Sequence, residues 1–471
     1  MTTMNDLSLA WRADIAAVGG LLADRSLSAV ELTDTMLERI AAIDPTVQAF
    51  VTVLDRSARE QAAAADAEIA SGGYRGPLHG IPIAIKDIYN TAGVETTCCS
   101  QVRRGHVPDS DATVVRKLKE AGAVVLGKVS THEFAFGFDS EPTRNPWNPD
   151  HIPSGSSGGS GAALAAGLCF AATGSDTGGS IRAPAAANGV VGIKPTYGRV
   201  SKHGVAALSW SLDHAGPMAR TPRDLAILLT IMAGHDPLDT DSKHVAVEDY
   251  CAALTGDVRG LRMGVPSGYF TDDVTPAVGE AFAAATAHFG ELGATLVPVN
   301  VDFLDPALDA MMAIAMAEAA AYHRDAMART PHLFGAETRS LLDAGTLMSA
   351  STYLNAQRVR AAIKDCFRQA LRDVDVLLTP TQPRTAMKVG QTVTHIGSRE
   401  ESVFEVSARF CAPFNLSGLP AVSVPCGWCP DGLPIGLQIV GKPFDEAIVL
   451  RVADAHQNTT PFRHRYPALA N

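Results

Sequence analysis

The sequence predicts an α/β fold in which one sheet is covered by helices on both faces. Three observations lead there. Short apolar runs that read as strands alternate with longer segments of three- and four-residue periodicity that read as helices. The strand runs are apolar without polar alternation, as in a sheet buried on both sides. The chain of 471 residues, 46% hydrophobic and 19% charged, has an ordinary globular composition. Its length fits two to three domains or one large α/β domain.

Residues 7–43 read as helices. Leu32, Met36, Ile40 and Ile43 recur at helical spacing, and Ser28 with Glu31 three positions on forms a capping signature. A second, Ala-rich helix spans residues 55–70 and ends at Gly72-Gly73. Residues 81–85 form an apolar strand, with Pro82 near its start where a missing donor costs least. Lys86 follows directly, an unusual residue at the end of a buried strand. Residues 111–121 read as a helix stopped by Gly122, and residues 123–128 as a strand.

Residues 151–182 hold two small-residue stretches, GSSGGSG and TGSDTGGS. Between them, residues 162–172 are apolar and Ala-rich, enough for about three turns of buried helix. The expectation is therefore loop, buried helix, loop. Arg182 and Pro184 open a further helix, residues 190–195 a strand, and Thr221 caps a helix whose first residue is Pro222. Beyond residue 261 come a strand at 263–265, a helix at 278–292, a strand at 295–299 and an Ala/Met-rich stretch at 306–327. The methionines of that stretch read as core filler rather than as a soft binding wall. Late strands at 374–378, 421–425 and 437–440 complete the same sheet.

A net charge of −11 argues against a nucleic-acid-binding surface. No apolar run reaches the length of a membrane span, and the first twenty residues lack a secretory signal. The cytoplasm is the expected compartment. The eight cysteines are scattered, which does not suggest a disulfide framework. Cys426 and Cys429 make a solitary CxxC with no second pair or nearby His, and no HExxH is present. Neither a metal nor a cofactor is expected.

Successive N–H groups in a Gly/Ser loop make an anion-binding concavity, and a hydroxyl there can attack a carbonyl while those groups hold the oxyanion. A flexible linker does not enclose an apolar helix, and the phosphate-binding signatures GxxxxGK[ST] and GxGxxG are absent here. GSSGGS, then GSDTGGSIR with Ser156 and Ser180 twenty-four residues apart, and GIPIAIKD upstream, resemble the amidase signature family. The resemblance is dense over residues 76–220. It is weaker to the end, where NLSGLP and GLPIGLQ also look like the family.

The resemblance implies a single domain over residues 1–471 built on a large mixed central sheet. Helices at 1–70 precede a core at 76–220, and a divergent region at 261–400 shapes the substrate pocket. It implies hydrolysis of a small amide, urea, carbamate or hydrazide through a seryl acyl-enzyme. Ser180 is the nucleophile, Ser156 bridges through a cis peptide, and Lys86 is the base, neutral because it is buried. The N–H groups of Thr177, Gly178, Gly179 and Ser180 form the oxyanion hole. Ser157 and Ser175 orient the network, and Asp176 with Arg182 makes a structural ion pair. The loop at 131–137 resembles the family's substrate-facing loop, which nominates Phe134 and Phe136. His132 there reads as surface rather than catalytic.

The alternative is the amidase (glutaminase) subunit of a tRNA-dependent amidotransferase. Such subunits grip the amino acid with an Asp and an Arg, and those positions align here with Ala408 and a residue near Leu341. The departures favour a free-standing hydrolase acting on a small molecule. No nucleic-acid or membrane partner is expected, and the resemblance implies oligomers through the N-terminal helices, a homodimer among them. A binding protein that kept the fold and lost the chemistry has no reason to retain Lys86, Ser156 and Ser180 together.

Overall fold

The computed structural model describes residues 7–470. Residues 1–6 of the N-terminal helical region, and of the stretch read for a secretory signal, lie outside them. An eleven-stranded sheet runs through the molecule. In chain order its strands are β1 (Phe50–Val53), β2 (Pro82–Lys86), β3 (Val124–Val129), β4 (Ala171–Asp176), β5 (Val191–Lys194), β6 (His214–Ala219), β7 (Arg262–Pro266), β8 (Thr295–Val299) and β9 (Val376–Pro380), with β12 (Ala421–Trp428) and β13 (Pro434–Gly441) last. A separate hairpin pairs β10 (Val393–Ile396) with β11 (Arg399–Ser402).

The spatial order is β1-β3-β2-β4-β6-β5-β12-β13-β9-β7-β8. β2 runs parallel to β3 and β4, and β7 runs parallel to β8 and β9, while the other pairings are antiparallel. Every residue of β2, β3, β4, β6 and β13 is buried. Both faces of these strands are thus covered by helices, as continuous apolar runs require.

Local signals in the sequence account for many boundaries. Ser28 Oγ accepts the Glu31 N–H at 3.0 Å and Glu31 accepts the Ser28 N–H at 3.0 Å, closing the capping box on the helix Ala29–Val47. The Ala-rich helix is Asp55–Ala70 as expected. Thr221 accepts the Asp224 N–H and Pro222 opens the helix Pro222–Met232.

Two expectations fail. Residues 162–172 are not one helix. The helix is Gly158–Ala165, so it starts inside the first Gly/Ser stretch, and β4 begins at Ala171 inside the same apolar run. Gly167, at φ +68°, turns the chain between them, and a Cβ there would meet the Trp11 ring at 2.3 Å. A short apolar run does not by itself distinguish helix from strand. The segment at 210–217 resembles a turn typical of the amidase signature family, yet it becomes strand β6 from His214 onward, pairing antiparallel with β4 from Asp176↔His214 to Ala171↔Ala219.

Candidate active site

β2 and β4 are parallel neighbours, with Ala84 opposite Ala172. Lys86 at the end of β2 therefore emerges beside Ser175 near the end of β4, at the carboxyl ends of adjacent strands where α/β sheets place their sites. The helix Gly158–Ala165 starts on the same side and brings Ser156 and Ser157 to the spot. Lys86 Nζ lies 2.8 Å from each of the hydroxyl oxygens of Ser156, Ser157 and Ser175. The backbone is tied in as well. Lys86 N–H donates to Thr173 Oγ1 at 2.9 Å, Ser160 Oγ donates to the Thr173 carbonyl at 2.8 Å, and Ser157 N–H donates to the Ser180 carbonyl at 3.1 Å. The Gly155–Ser156 peptide is cis.

Lys86 is wholly buried and touches hydroxyls rather than a carboxylate. Burial pushes its ammonium down to about 7, and the more distant Asp176 and Asp213 charges only partly oppose the shift. Two other lysines are as deeply buried and sit differently. Lys128 pairs with Asp87 at 3.3 Å, and Lys194 donates to the carbonyls of Pro195 and Leu419.

The loop after β4 is held by one carboxylate. Asp176 Oδ1 accepts the Gly179 N–H at 2.8 Å and Oδ2 accepts the Ile181 N–H at 3.2 Å. Arg182 grips the same carboxylate bidentately, Nε to Oδ2 at 2.9 Å and Nη2 to Oδ1 at 2.8 Å, with both residues fully buried. Burial alone would raise the Asp176 pKa, but the Arg182 guanidinium overrides it and holds the carboxyl well below the usual range. One of the four N–H groups expected to form an oxyanion hole is thereby engaged within the loop. The Gly179 N–H is spent on Asp176, which leaves Thr177, Gly178 and Ser180 as the donors the loop can offer a substrate. Gly179 itself has φ +136°, and a Cβ there would come within 2.8 Å of Cys411 Cβ. Thr177 is fixed by its hydroxyl, which donates to Asp213 Oδ1 at 2.6 Å.

Ser180 lines a pocket of about 20 Å³ together with Phe136, Phe138, Met311, Met312 and Phe404. Phe136 lines this pocket, and Phe134 does not. With positive φ at Phe134 and Ala135, the Phe134 ring packs 4.3 Å from His323 on the helix Ala307–Arg329 and 5.7 Å from Phe334 beyond its end. His132 is not the surface residue expected: its side chain is largely buried with Nε2 3.4 Å from Glu337, and its backbone N–H donates to the Ser156 carbonyl at 3.2 Å. Met311 is buried in the core and also walls the pocket, so the Ala/Met-rich helix serves both roles weighed for it.

Several residues here escaped the sequence reading. Arg182 Nη2 donates to Asn415 Oδ1 and Nη1 to Gln438 Oε1, each at 2.6 Å, and Asn415 Nδ2 donates to Asp176 Oδ1 at 2.8 Å. The available signal was their position within NLSGLP and GLPIGLQ, two motifs already set apart. Phe138 and Phe404 carried no signal, since single aromatics in unlike segments look like any core residue. No group of His, Cys, Asp and Glu able to hold a metal occurs among the described residues.

The amidase family model matches residues 31–450. A curated relative from Roseiflexus castenholzii, a glutamyl-tRNA(Gln) amidotransferase subunit, is 44% identical over 96% of this chain and 97% of its own. Among solved structures, a chain from a vestigial protein complex bearing on the origins of an s-triazine catabolic enzyme superposes with a TM-score of 0.91. It is 34% identical over 95% of this chain and 98% of its own. The native peptide amidase of Stenotrophomonas maltophilia superposes with a TM-score of 0.84 at 31% identity, over 98% of this chain and 99% of its own.

Proposed function

The chain belongs to the amidase family, and from that premise we propose that it is a free-standing hydrolase of small amides working through Lys86, Ser156 and Ser180. The observation that carries this reading is a fully buried lysine with three hydroxyls at 2.8 Å and no carboxylate in contact. Neutral Lys86 takes the Ser156 proton as Ser156 takes that of Ser180. The Ser180 oxygen bonds to the acyl carbon, and the loop's free N–H groups hold the oxyanion. The carbon–nitrogen bond then breaks and the nitrogen leaves with the relayed proton. Water cleaves the acyl ester, giving acid plus amine. Ser157 and Ser175 orient Nζ, and Asp176 with Arg182 fixes the loop. We infer one domain, with the region 261–400 shaping the pocket. The eight free cysteines suit a reducing compartment, and the cytoplasm is the one we propose.

The test is intact-protein mass after exposure to a serine-directed phosphonyl fluoride. We expect one adduct on the wild type, none on Ser180→Ala, and labelling slowed at least a hundredfold on Lys86→Ala. Labelling that persists in Ser180→Ala puts the nucleophile elsewhere.

A second reading has its own support. The 44% identity over nearly the full chain favours the amidase subunit of a glutamyl-tRNA(Gln) amidotransferase, and on similarity alone it is the stronger. Under it the chain works in an assembly, and a nucleic acid enters as partner. Against it stand Ala408, buried in the core, and an apolar residue near Leu341, where the resemblance leads one to expect an amino-acid-binding Asp and Arg. Efficient hydrolysis of glutamine by the purified chain decides for the second reading.

A further inference from the structure

Two cavities outside the Ser180 pocket carry charge, and they carry it differently. One, of about 240 Å³, is lined by Ser175 and Thr177. Its carboxylates and its lysine are engaged within its own wall. Lys202 Nζ lies 3.1 Å from Asp241, Asp213 accepts the Thr177 hydroxyl, and Asp239 accepts the Lys202 N–H. The other, of about 440 Å³, is lined by Lys243, His244, Arg360 and Lys364 and by no Asp or Glu. That is a basic cavity on a chain whose net charge is −11.

The cations of this second cavity lack such partners. The side chains of Lys243 and Lys364 are exposed and make no hydrogen bond or ion pair among the described residues. Asp241, whose carboxyl feels the Lys243 charge, is the one already paired with Lys202. Arg360 spends its donors on neutral oxygens: Nε on the Leu416 carbonyl at 3.0 Å, Nη1 on Ser211 Oγ at 3.2 Å and Nη2 on the Ser211 carbonyl at 2.7 Å. Its charge is fixed in place with no carboxylate in contact. Lys364 stands four residues on along the helix Ala350–Ala370, a spacing at which like charges repel.

Two hydroxyls add donors. Thr196 lines the cavity and is 6% exposed. Its Oγ1 accepts the Phe444 N–H at 2.8 Å, and its own proton has no acceptor among the described residues. Ser417 lines the cavity too, and its Oγ is buried without a partner among the described residues. A buried hydroxyl left unpaired is costly. The carbonyls that would repel an anion at the end of the helix Ala412–Ser417 are occupied, Leu416 by Arg360 and Gly418 by the Tyr197 N–H at 3.1 Å. The rings of Tyr197 and Phe444 complete the wall.

We propose that this cavity binds a small organic phosphate, its phosphate group held by Lys243, Lys364 and the two hydroxyls and its organic part lying against Tyr197 and Phe444. A phosphate monoester carries about −1.5 to −2 charges and three acceptor oxygens at neutral pH. Two free ammonium groups and two unspent hydroxyl protons suit it better than they suit a singly charged carboxylate. Cavities that hold small molecules measure roughly 300–1,000 Å³, so this one has room for more than the phosphate itself. Its cations converge on one cavity rather than run along a stripe, and the net charge of −11 disfavours a long polyanion. The site is separate from Ser180 and does not depend on the hydrolase reading.

Isothermal titration calorimetry on the full chain, at pH 7 and constant ionic strength, tests this with glycerol 3-phosphate, AMP, inorganic phosphate, glycerol and an RNA duplex as probes. At least one of the two esters should bind with a Kd below about 1 mM, about fivefold or more tighter than inorganic phosphate, and glycerol should not bind. Lys243→Gln and Lys364→Gln change exposed side chains and should each weaken the ester about tenfold, with Ser417→Ala weakening it as well. Lys388→Gln, an exposed lysine outside the cavity, should leave the affinity unchanged. Inorganic phosphate that binds as tightly as the esters, or an ester affinity unmoved in both lysine variants, overturns the inference. So does an RNA duplex that binds more tightly than either ester and is lost in the same two variants, which would mark a nucleic-acid surface. No heat with any probe, and no shift in Tm when each is added, overturns it outright.

Discussion

Lys86 sits where a charged amine is least welcome, and its titration is where the chemistry meets measurement. With its pKa near 7 in the folded chain, about half the molecules carry the free base at neutral pH. If that base drives the reaction, kcat/KM rises as pH passes upward through about 7 and levels above it. Lys86→Met should remove on the order of 10²–10⁴ in rate and flatten what remains. A wild-type profile without an inflection between pH 5 and 9 counts against the assignment. The sign for stability follows from the same shift. The folded value lies below the unfolded one near 10.5. Between the two the unfolded chain binds the extra proton, so this residue's contribution to stability rises with pH across that window. Below 7 its full penalty is present. Lys128, which has Asp87 to pair with, shows the ordinary way of burying a lysine. Lys86 was legible in the sequence because it ends an apolar strand next to two Gly/Ser stretches. Its three hydroxyl partners were only half legible, since Ser175 reaches it through a strand pairing that periodicity does not specify.

At the scale of elements, β4 and the helix Arg182–Asn188 are welded by the Asp176–Arg182 pair, and the weld extends to the helix Ala412–Ser417 and to β13 through Asn415 and Gln438. Removing one partner of a buried ion pair leaves the other charged and unpaired, which costs about 3–5 kcal/mol. Asp176→Ala should therefore lower the denaturation midpoint by that equivalent. It should also slow phosphonyl labelling of Ser180 at low denaturant, because the Gly179 and Ile181 N–H groups lose the acceptor that shapes the loop. A midpoint within experimental error of the wild type would mean the pair adds nothing net. The family resemblance implied this pair, but the sequence hid the elements around it. Residues 162–172 look uniformly apolar, and only tertiary structure decides that the first part finishes a helix and the last part starts a strand. Gly167, fitted against Trp11, marks the change. The strand β6 was likewise invisible, because HAGPMA has no alternation and becomes a strand by pairing with β4.

The whole molecule is an eleven-stranded sheet whose site is assembled from residues as distant in sequence as Lys86 and Phe404, so its chemistry depends on how firmly remote segments are held together. The alternating strand and helix signals made the sheet legible, while the order in which late strands insert between early ones was set by long-range pairing. Arg39 is one clamp on that arrangement. From the helix Ala29–Val47 it donates to the carbonyls of Ala166 and Gly167, just after the helix Gly158–Ala165, and to the carbonyl of Ala470. Its guanidinium also lies 4.4 Å over the Trp11 ring. One side chain therefore joins the N-terminal helices, the segment leading into β4 and the C-terminal residues. Hydrogen bonds from a charged donor contribute about 1.5–3 kcal/mol each in favourable settings, with strong non-additivity when they share a donor. Arg39→Ala should cost about 3 kcal/mol, seen as a lower denaturation midpoint. Because Arg39 touches neither cavity, the pH inflection near 7 and the labelling of Ser180 should persist below that midpoint. A loss of labelling in protein that is still folded would mean that the clamp holds the lysine cluster in register, and that the N-terminal helices belong to the site's support rather than to its periphery.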